Sequence, residues 1–385
     1  MRKNSFLIMI FFISIVSCKK GNNQSTVVNN KYLNEKLNIE IDTVNIKIGN
    51  NQLPFYSKST IEEESNKYFG YNHTLHSIDV FDLKNKAYLK NIKLFKDGPD
   101  KVESIDAFKV KNNEIHAISR NYIVVINLNN GKVKNRTLIN SLDNKFYTEN
   151  QTYITNGSEF KFVEKEGYYV KTINYKHSIS KESKKHYNNG KILSYFSFKD
   201  NKMNNSIDIS YPKEYQENHY GFNNKTSFFH SDDDQFIYYN FSALPSVFKY
   251  NKKTKIITQY NFESKNLPAI KTESIGWTPP ADRMFQHYIL NSNFGRLYGN
   301  NDYFFIIYNS GLPDDFKDMG NAYAAKKKVL LVFNKEFSLL TSIDLLNLGM
   351  GLDSGFVFEN KLYFPYSTKN ENVASFLTYN ISTKQ

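Results

Sequence analysis

From residue 37 onward, short apolar runs of Val, Ile, Phe and Tyr alternate with clusters of Asn, Gly, Lys and Asp, and almost nothing holds the 3.6-residue period of an amphipathic helix. One pattern recurs: an apolar strand ends in Asp or Asn, a polar turn follows, and a second strand returns. It is read at Ser77 to Leu83, turn Lys84-Asn85-Lys86, return Tyr88 to Leu94; and at Tyr122 to Leu128, turn Asn129-Asn130-Gly131, return Val133 to Ile139. It is read again at Ser246 to Asn251, turn Lys252-Lys253-Thr254, return Ile256 to Phe262; and at Val329 to Asn334, turn Lys335-Glu336, return Ser338 to Leu345. The turn chemistry makes each a β-hairpin. Further strands precede the hairpins, among them Glu114 to Ser119, Phe236 to Phe241, Tyr303 to Tyr308 and Leu362 to Tyr366. The unit is thus roughly four strands, which is one propeller blade.

Six such units are predicted, over 53–95, 102–139, 150–211, 226–262, 293–345 and 353–381. The last lacks its outermost strand. The isolated alternating run Leu37 to Ile48, at the other end of the chain, is predicted to supply that strand and close the ring. The expected fold is an all-β, six-bladed β-propeller over residues 37–385, a single domain; seven blades or a two-sheet sandwich are the alternatives.

Residues 1–17 read differently, as a lipoprotein signal peptide. Arg2 and Lys3 precede an apolar stretch, Phe6 to Val16, and Ser17 stands before Cys18. The stretch is short for a spanning helix of roughly 20 residues. Cys18, the chain's one cysteine, sits where a diacylglyceryl group is attached through sulfur, so lipidation with acyl chains of the palmitate class is expected there. Residues 18–36 then read as lipidated cysteine and flexible polar tether. Lys19 stands where an inner-membrane retention signal carries Asp, which points to the outer membrane, facing the periplasm. Membrane attachment is expected through the lipid at Cys18 alone.

Aromatic residues are 16% of the chain, which excludes intrinsic disorder, and one cysteine excludes a disulfide scaffold. The formal charge of +12 raises nucleic acid as a partner, but the basic residues do not gather into a recognition helix, and none is expected. Lys184-Lys185, Lys252-Lys253 and Lys326-Lys327-Lys328 read as turn and strand-edge lysines on a solvated surface, with an anionic glycan or lipid headgroup as the other reading.

The chain also resembles a family of bacterial envelope lipoproteins, a domain of unknown function with a propeller-like fold. The resemblance runs from about Asn72 to the C-terminus and rests on Leu94-Phe95-Lys96-Asp97-Gly98-Pro99, Phe285-Gln286-His287-Tyr288, Phe294-Gly295-Arg296-Leu297-Tyr298, Tyr303-Phe304-Phe305, Val329 to Phe337, and Asn370-Glu371-Asn372 before Phe376. Two departures stand out. An arginine expected near Tyr303-Phe304 is absent, and Asn334 replaces an Asp after the fifth hairpin strand. The resemblance implies a fold and an envelope address, and no activity.

Candidate chemistry is sparse. Asp97, in Asp97-Gly98-Pro99-Asp100, is either a carboxylate at the channel mouth or plain turn chemistry. His230-Ser231-Asp232-Asp233-Asp234 lacks the spacing of a calcium loop and reads as a hairpin tip. The eight histidines include His177 and the close pair His73 and His76, placed on opposite faces of an expected strand, and none has zinc spacing. No phosphate loop or nucleophile elbow occurs, so no metal or cofactor is expected, and no catalytic residue is assigned. The long connection Leu267 to Asn293 is expected to be irregular. It carries Trp277, Arg283 and His287, read as a ligand-binding group with Trp277 as lid or stacking surface beside Arg283, or as an aromatic plug for the ring. Asp314-Asp315 is a further loop tip. The resulting expectation is a lipid-anchored binding or scaffold protein for an envelope protein or glycan. The alternative is a glycan-active hydrolase or lyase with carboxylates around the channel.

Overall fold

A computed structural model describes residues 25–49, 51–119, 122–138, 152–154, 160–163, 167–174, 181–197, 202–204, 207, 209–222, 226–230, 235–263, 267–345, 351–368 and 370–383. Among these residues the strands form six sheets, each built around antiparallel strands consecutive in the chain, and the fold is an all-β propeller.

Sheet 1 comprises Ser59–Glu62, Lys67–Asn72, Ser77–Asp82 and Ala87–Lys93. Sheet 2 comprises Ala107–Lys111, Glu114–Ser119, Tyr122–Asn127 and Val133–Leu138. In sheet 3 the short strands Thr152–Ile154 and Phe160–Val163 share one edge of Gly167–Asn174, followed by Leu193–Ser197 and Lys202–Asn204. Sheet 4 runs Thr226–His230, Phe236–Phe241, Ser246–Asn251 and Ile257–Phe262; sheet 5 runs Asn293–Gly299, Phe304–Asn309, Lys328–Phe333 and Leu339–Asp344. Sheet 6 has Phe356–Phe358, Lys361–Tyr366 and Val373–Thr383, and its fourth strand is Leu37–Lys47, paired antiparallel from Leu37 opposite Thr383 to Lys47 opposite Val373.

The middle strands of sheets 1, 4, 5 and 6 are buried over most of their length on both faces, because a neighbouring sheet packs on either side. In Ser77–Asp82, Ile78 and Val80 face sheet 2, and Phe81 faces sheet 6. Tyr and Phe fill these wedge-shaped gaps. Tyr68, Phe81, Phe356 and Phe376 join sheets 6 and 1, and Tyr238, Phe304 and Phe333 join sheets 4 and 5. Leu330, Leu362 and Leu377 join sheets 5 and 6. Between sheets 2 and 3 the His116 ring meets the Tyr168 hydroxyl through Nδ1. The first strands touch around the ring, Ser59–Glu62 against Ala107–Lys111 on one side and Phe356–Phe358 on the other.

The polar residue that ends each hairpin's first strand has a mechanical task. Asp82 Oδ1 accepts the Asn85 amide N–H at 2.8 Å, Asn251 Oδ1 those of Lys253 at 2.9 Å and Thr254 at 3.0 Å, and Asn334 Oδ1 that of Ser338 at 2.8 Å. A side-chain carbonyl serves the turn as well as a carboxylate does, so Asn334 keeps the function of the Asp it replaces.

Three sequence expectations are corrected. Helices are present: α1 (Ser183–Asn189), α2 (Lys213–Glu217), α3 (Ala281–Leu290) and α4 (Ala322–Ala325). The supposedly irregular Leu267–Asn293 connection contains α3, which begins after Pro280, carries Asp282 in its first turn, and buries Met284 and Leu290. Within the expected tether, Ser25–Asn30 is a strand parallel to Ile257–Phe262 on the outer edge of sheet 4. The chain then crosses to sheet 5, where the Leu33 and Glu35 amides bond the carbonyls of Leu339 and Leu340, before entering sheet 6. Finally, His73 and His76 lie in the turn between two strands of sheet 1, His76 with φ +56°, rather than on a strand. No helix among the described residues is long and apolar enough to cross a membrane.

Candidate functional site

Antiparallel order divides the connections between two ends of the sheets. Links from first to second and from third to fourth strands lie at one end, the turn end. Links from second to third strands, and from a fourth strand to the next sheet, lie at the other. All four helices belong to the second set: α1 within sheet 3, α2 between sheets 3 and 4, α3 between sheets 4 and 5, α4 within sheet 5. They form a helical cap at one end of the ring.

Beneath this cap three histidines meet a tyrosine cluster. His219, which follows α2, is 1% exposed. Its Nδ1 lies 3.2 Å from the Tyr187 hydroxyl of α1, and its ring stacks on Trp277 at 6.1 Å and 7°. His186 Nε2 lies 3.4 Å from the Tyr211 hydroxyl. Tyr187, Tyr211 and Tyr215 pack edge-on or tilted with one another and reach Phe241 of sheet 4. His287 of α3 bonds the Glu273 carbonyl through Nε2 at 2.7 Å. Two buried ring nitrogens, His219 Nε2 and His287 Nδ1, have no hydrogen-bond partner among the described residues. Gly221, at φ +58°, lies against His287 Nδ1, where a Cβ would stand 3.3 Å away.

Burial disfavours the imidazolium, so His219 and His287 are neutral at pH 7. It lowers His219 to about 4, helped by the positive charge His287 and His186 would carry, and it lowers His287 as well. His116, between sheets 2 and 3, is also lowered to about 4 by burial, against the opposing pull of Glu114. In His287 the Nε2 that meets the Glu273 carbonyl is the donor, so its unsatisfied Nδ1 is an acceptor open to a water or a hydroxyl. Among the described residues no three His, Cys, Asp or Glu side chains converge for metal binding.

The linkage has a definite sign. Both His219 and His116 fall from an ordinary value of 6.5 to about 4 in the folded protein, so the unfolded chain binds more protons between those limits. Stability is full above pH 6.5 and is lost as pH falls towards 4, by about 3 kcal/mol for each ring. Urea midpoints taken from pH 7 down to pH 4.5 are expected to drop steeply, and His219→Phe to flatten part of that slope. An unchanged midpoint would contradict the burial of these rings.

The sequence candidates fall in different places. Trp277 and His287 belong to the cap. Trp277 is half-buried, and its ring lies on His219 and 5.9 Å from the Lys184 ammonium, with its carbonyl accepting the Ser183 hydroxyl. The cation over the indole is therefore Lys184 and not Arg283, which is exposed on α3. Asp97 is exposed in the link between sheets 1 and 2, at the same end of the ring but across it from α3, in a turn with Gly98 at φ +79°. Asp314 is exposed and pairs with Lys271. Cys18, His177 and Ser231 to Asp234 lie outside the described residues. Lys326, read as a surface lysine, is buried with its ammonium on the Asn291 carbonyl after α3, and burial lowers it to about 8.

Sequence reasoning missed His219, Tyr187 and Tyr211, because their contacts join segments far apart in the chain. It also missed the outer surface of the cap. There Phe285 of α3 is 58% exposed and Tyr323 of α4 is 54% exposed, and a small apolar cluster of Leu290, Leu312 and Ala322 joins the two helices. The Lys328 ammonium lies 4.8 Å from the Tyr323 ring.

The family described as a domain of unknown function, DUF4221, matches residues 29–341. A crystal structure of a DUF4221 family member from Bacteroides vulgatus has a TM-score of 0.74 at 15% identity, covering 91% of this chain and 99% of that one. A second crystal structure, of a Bacteroides fragilis protein, has a TM-score of 0.56 at 12% identity, covering 94% and 100%. No curated protein matches the chain. At these identities the similarity speaks for the fold alone.

Proposed function

Because the chain belongs to the DUF4221 family, whose match spans most of the propeller, we propose that it is a lipid-anchored envelope protein that binds a glycan on its helical cap. Each of the six sheets is read as one blade, which the apolar clusters between adjacent sheets support. The anchor is the acylated Cys18, and the address is the outer membrane facing the periplasm.

One observation carries the binding reading. Phe285 and Tyr323 stand more than half exposed on neighbouring helices, an arrangement that costs solvation and that a sugar ring would cover. The carboxylate of Asp282 and the guanidinium of Arg283, on α3, are exposed nearby to take hydroxyls. Trp277 is the chain's one tryptophan and lies in the same cap, so its emission reports on ligand there.

Titration with neutral and anionic oligosaccharides is expected to change Trp277 emission saturably. Phe285→Ala or Tyr323→Ala should weaken the affinity by about tenfold, which corresponds to about 1.4 kcal/mol for one lost stacking surface. Neither substitution should move the unfolding midpoint, since both side chains are exposed. A flat titration across both glycan classes would count against a glycan and leave a protein partner as the ligand.

A further inference from the structure

We infer that the end of the ring opposite the helical cap is a membrane-docking surface: its lysine turns rest on anionic phospholipid headgroups while the cap points away from the bilayer. This rests on the anchor at Cys18 proposed above.

Three observations converge. The first is where the N-terminal segment leaves the body. Ser25–Asn30 runs parallel to Ile257–Phe262, with Ser25 opposite Ile257 and Asn30 opposite Phe262. Ile257 is the first residue after the turn that joins the third and fourth strands of sheet 4, and Phe262 leads into the connection that carries α3. Ser25 therefore sits beside the Lys252-Lys253-Thr254-Lys255 turn, at the strand ends remote from the cap.

The second is reach. Cys18 precedes Ser25 by seven residues, which span at most about 25 Å when fully extended. A leash of that length, starting at the turn end, holds that end near the headgroups. The cap would have to swing past the whole height of the ring to meet them.

The third is charge. The turns between third and fourth strands carry Lys84 and Lys86 in sheet 1, Lys132 in sheet 2, and Lys252, Lys253 and Lys255 in sheet 4. All but Lys252 are exposed, and Lys252 is half-buried. The corresponding turn of sheet 5 carries Lys335 and Glu336, both exposed, and Asp82 ends the third strand of sheet 1, whereas Glu63, Glu64, Asp302 and Glu359 belong to the links between first and second strands, nearer the ring axis. Positive charge is thus concentrated on the outer rim, where a flat anionic surface meets it first. Edge protection alone asks for lysine on the strands; it does not ask for it in turns whose backbone groups are already bonded.

The test uses the full-length lipidated protein in vesicles of phosphatidylethanolamine and phosphatidylglycerol containing headgroup-spin-labelled lipid. Trp277 reports the cap. The double substitution Trp277→Phe with Lys253→Trp reports the rim, and Trp277→Phe with Lys86→Trp repeats that report should the first variant be unstable. Both rim tryptophans are expected to lose most of their emission to the spin label, and Trp277 of the wild-type chain to lose almost none. Replacing Lys252, Lys253 and Lys255 by Gln in the Lys86→Trp reporter should reduce the rim quenching at low salt, and the same replacements in the chain that keeps Trp277 should leave Trp277 unchanged. Quenching of Trp277 as strong as that of the rim, or no quenching at either place, overturns the docking. Incorporation of labelled fatty acid is followed in parallel, with Cys18→Ser as the control. Absence of label on the wild-type chain overturns the anchor itself, so the two failures are told apart.

Discussion

A chain lacking residues 1–48 is expected not to form the ring, whereas one lacking residues 1–30 folds. The longer deletion removes Leu37–Lys47, whose eleven residues pair along the whole of Val373–Thr383. It also removes the buried side chains of Leu37, Val44, Ile46 and Ile48. Burial of four such side chains is worth about 1.5–3 kcal/mol each, and a domain's whole stability is about 5–15 kcal/mol. The loss is therefore comparable with everything that holds the fold. What remains is an open edge on Val373–Thr383, a strand buried over most of its length, which invites pairing with other molecules. The shorter deletion costs much less. Ser25–Asn30 is mostly exposed, and Ile257–Phe262 stays paired on its other edge with Ser246–Asn251. Size-exclusion chromatography and urea unfolding separate the outcomes: aggregate for the first variant, a monomer with a cooperative transition for the second. Supplying residues 31–48 as a separate peptide should recover soluble protein from the first. A stable, cooperative fold without Leu37–Lys47 would mean that the ring closes by other contacts.

The closing strand was legible because its signal is local and periodic. Ile39, Ile41, Val44, Ile46 and Ile48 alternate, and no neighbour in sequence was available to pair with them. The four hairpins were legible for the same reason: each is written in one stretch of chain, down to the Asp or Asn that bonds its own turn. The cap was not. In α3 the buried positions Met284 and Leu290 lie six residues apart, and the apolar residues between them, Phe285, Tyr288 and Ile289, do not fall into one stripe with them, so no clean helical period shows against so many strands. Trp277 and His287 could be marked as unusual residues in a long connection. Nothing in sequence links them to His219, or Trp277 to Ser183, because the sheets bring these segments together. Ser25–Asn30 was hidden by its polarity. An outermost strand needs backbone hydrogen bonds more than apolar side chains, and composition alone reads such a segment as tether.

Aromatic rings gather where connections are long, since only those connections have enough chain to bury or display them. Lysines stand at both ends, in the short turns of sheets 1, 2 and 4 and in cap-end connections such as those of Lys184, Lys185 and Lys213.

Asp79→Ala is expected to be the most damaging single substitution in the chain, at about 3–5 kcal/mol. Asp79 lies in an otherwise apolar strand of sheet 1 and is fully buried. Its Oδ2 accepts the Tyr56 hydroxyl at 2.7 Å and the Asn72 amide at 3.0 Å, and its Oδ1 accepts the Asn91 amide at 2.7 Å. All three neighbours donate, which is what an acceptor-only carboxylate requires. Burial and the bond to Asp79 push the Tyr56 phenol far above its ordinary range, so it stays protonated and remains a donor. Truncation to alanine leaves the buried Tyr56 hydroxyl and one N–H of buried Asn72 without their acceptor, while exposed Asn91 can turn to water, and each unsatisfied buried group costs about 1–3 kcal/mol. Asp79→Asn should be milder, at about 1–2 kcal/mol, because one amide oxygen keeps part of the acceptor role while the new N–H₂ faces other donors. The same node explains Gly70. The Tyr56 ring lies against that residue so closely that a Cβ would come within 2.3 Å of it, so Gly70→Ala must displace the ring and break the bond to Asp79. Urea unfolding of the three variants at pH 7 is expected to rank Asp79→Ala as the most damaging, with Asp79→Asn mildest. A Tyr56→Phe, Asp79→Ala double variant should lose less than the sum of its parts, since the two side chains share one interaction. Additive losses would show that Asp79 acts through Asn72 and Asn91 alone.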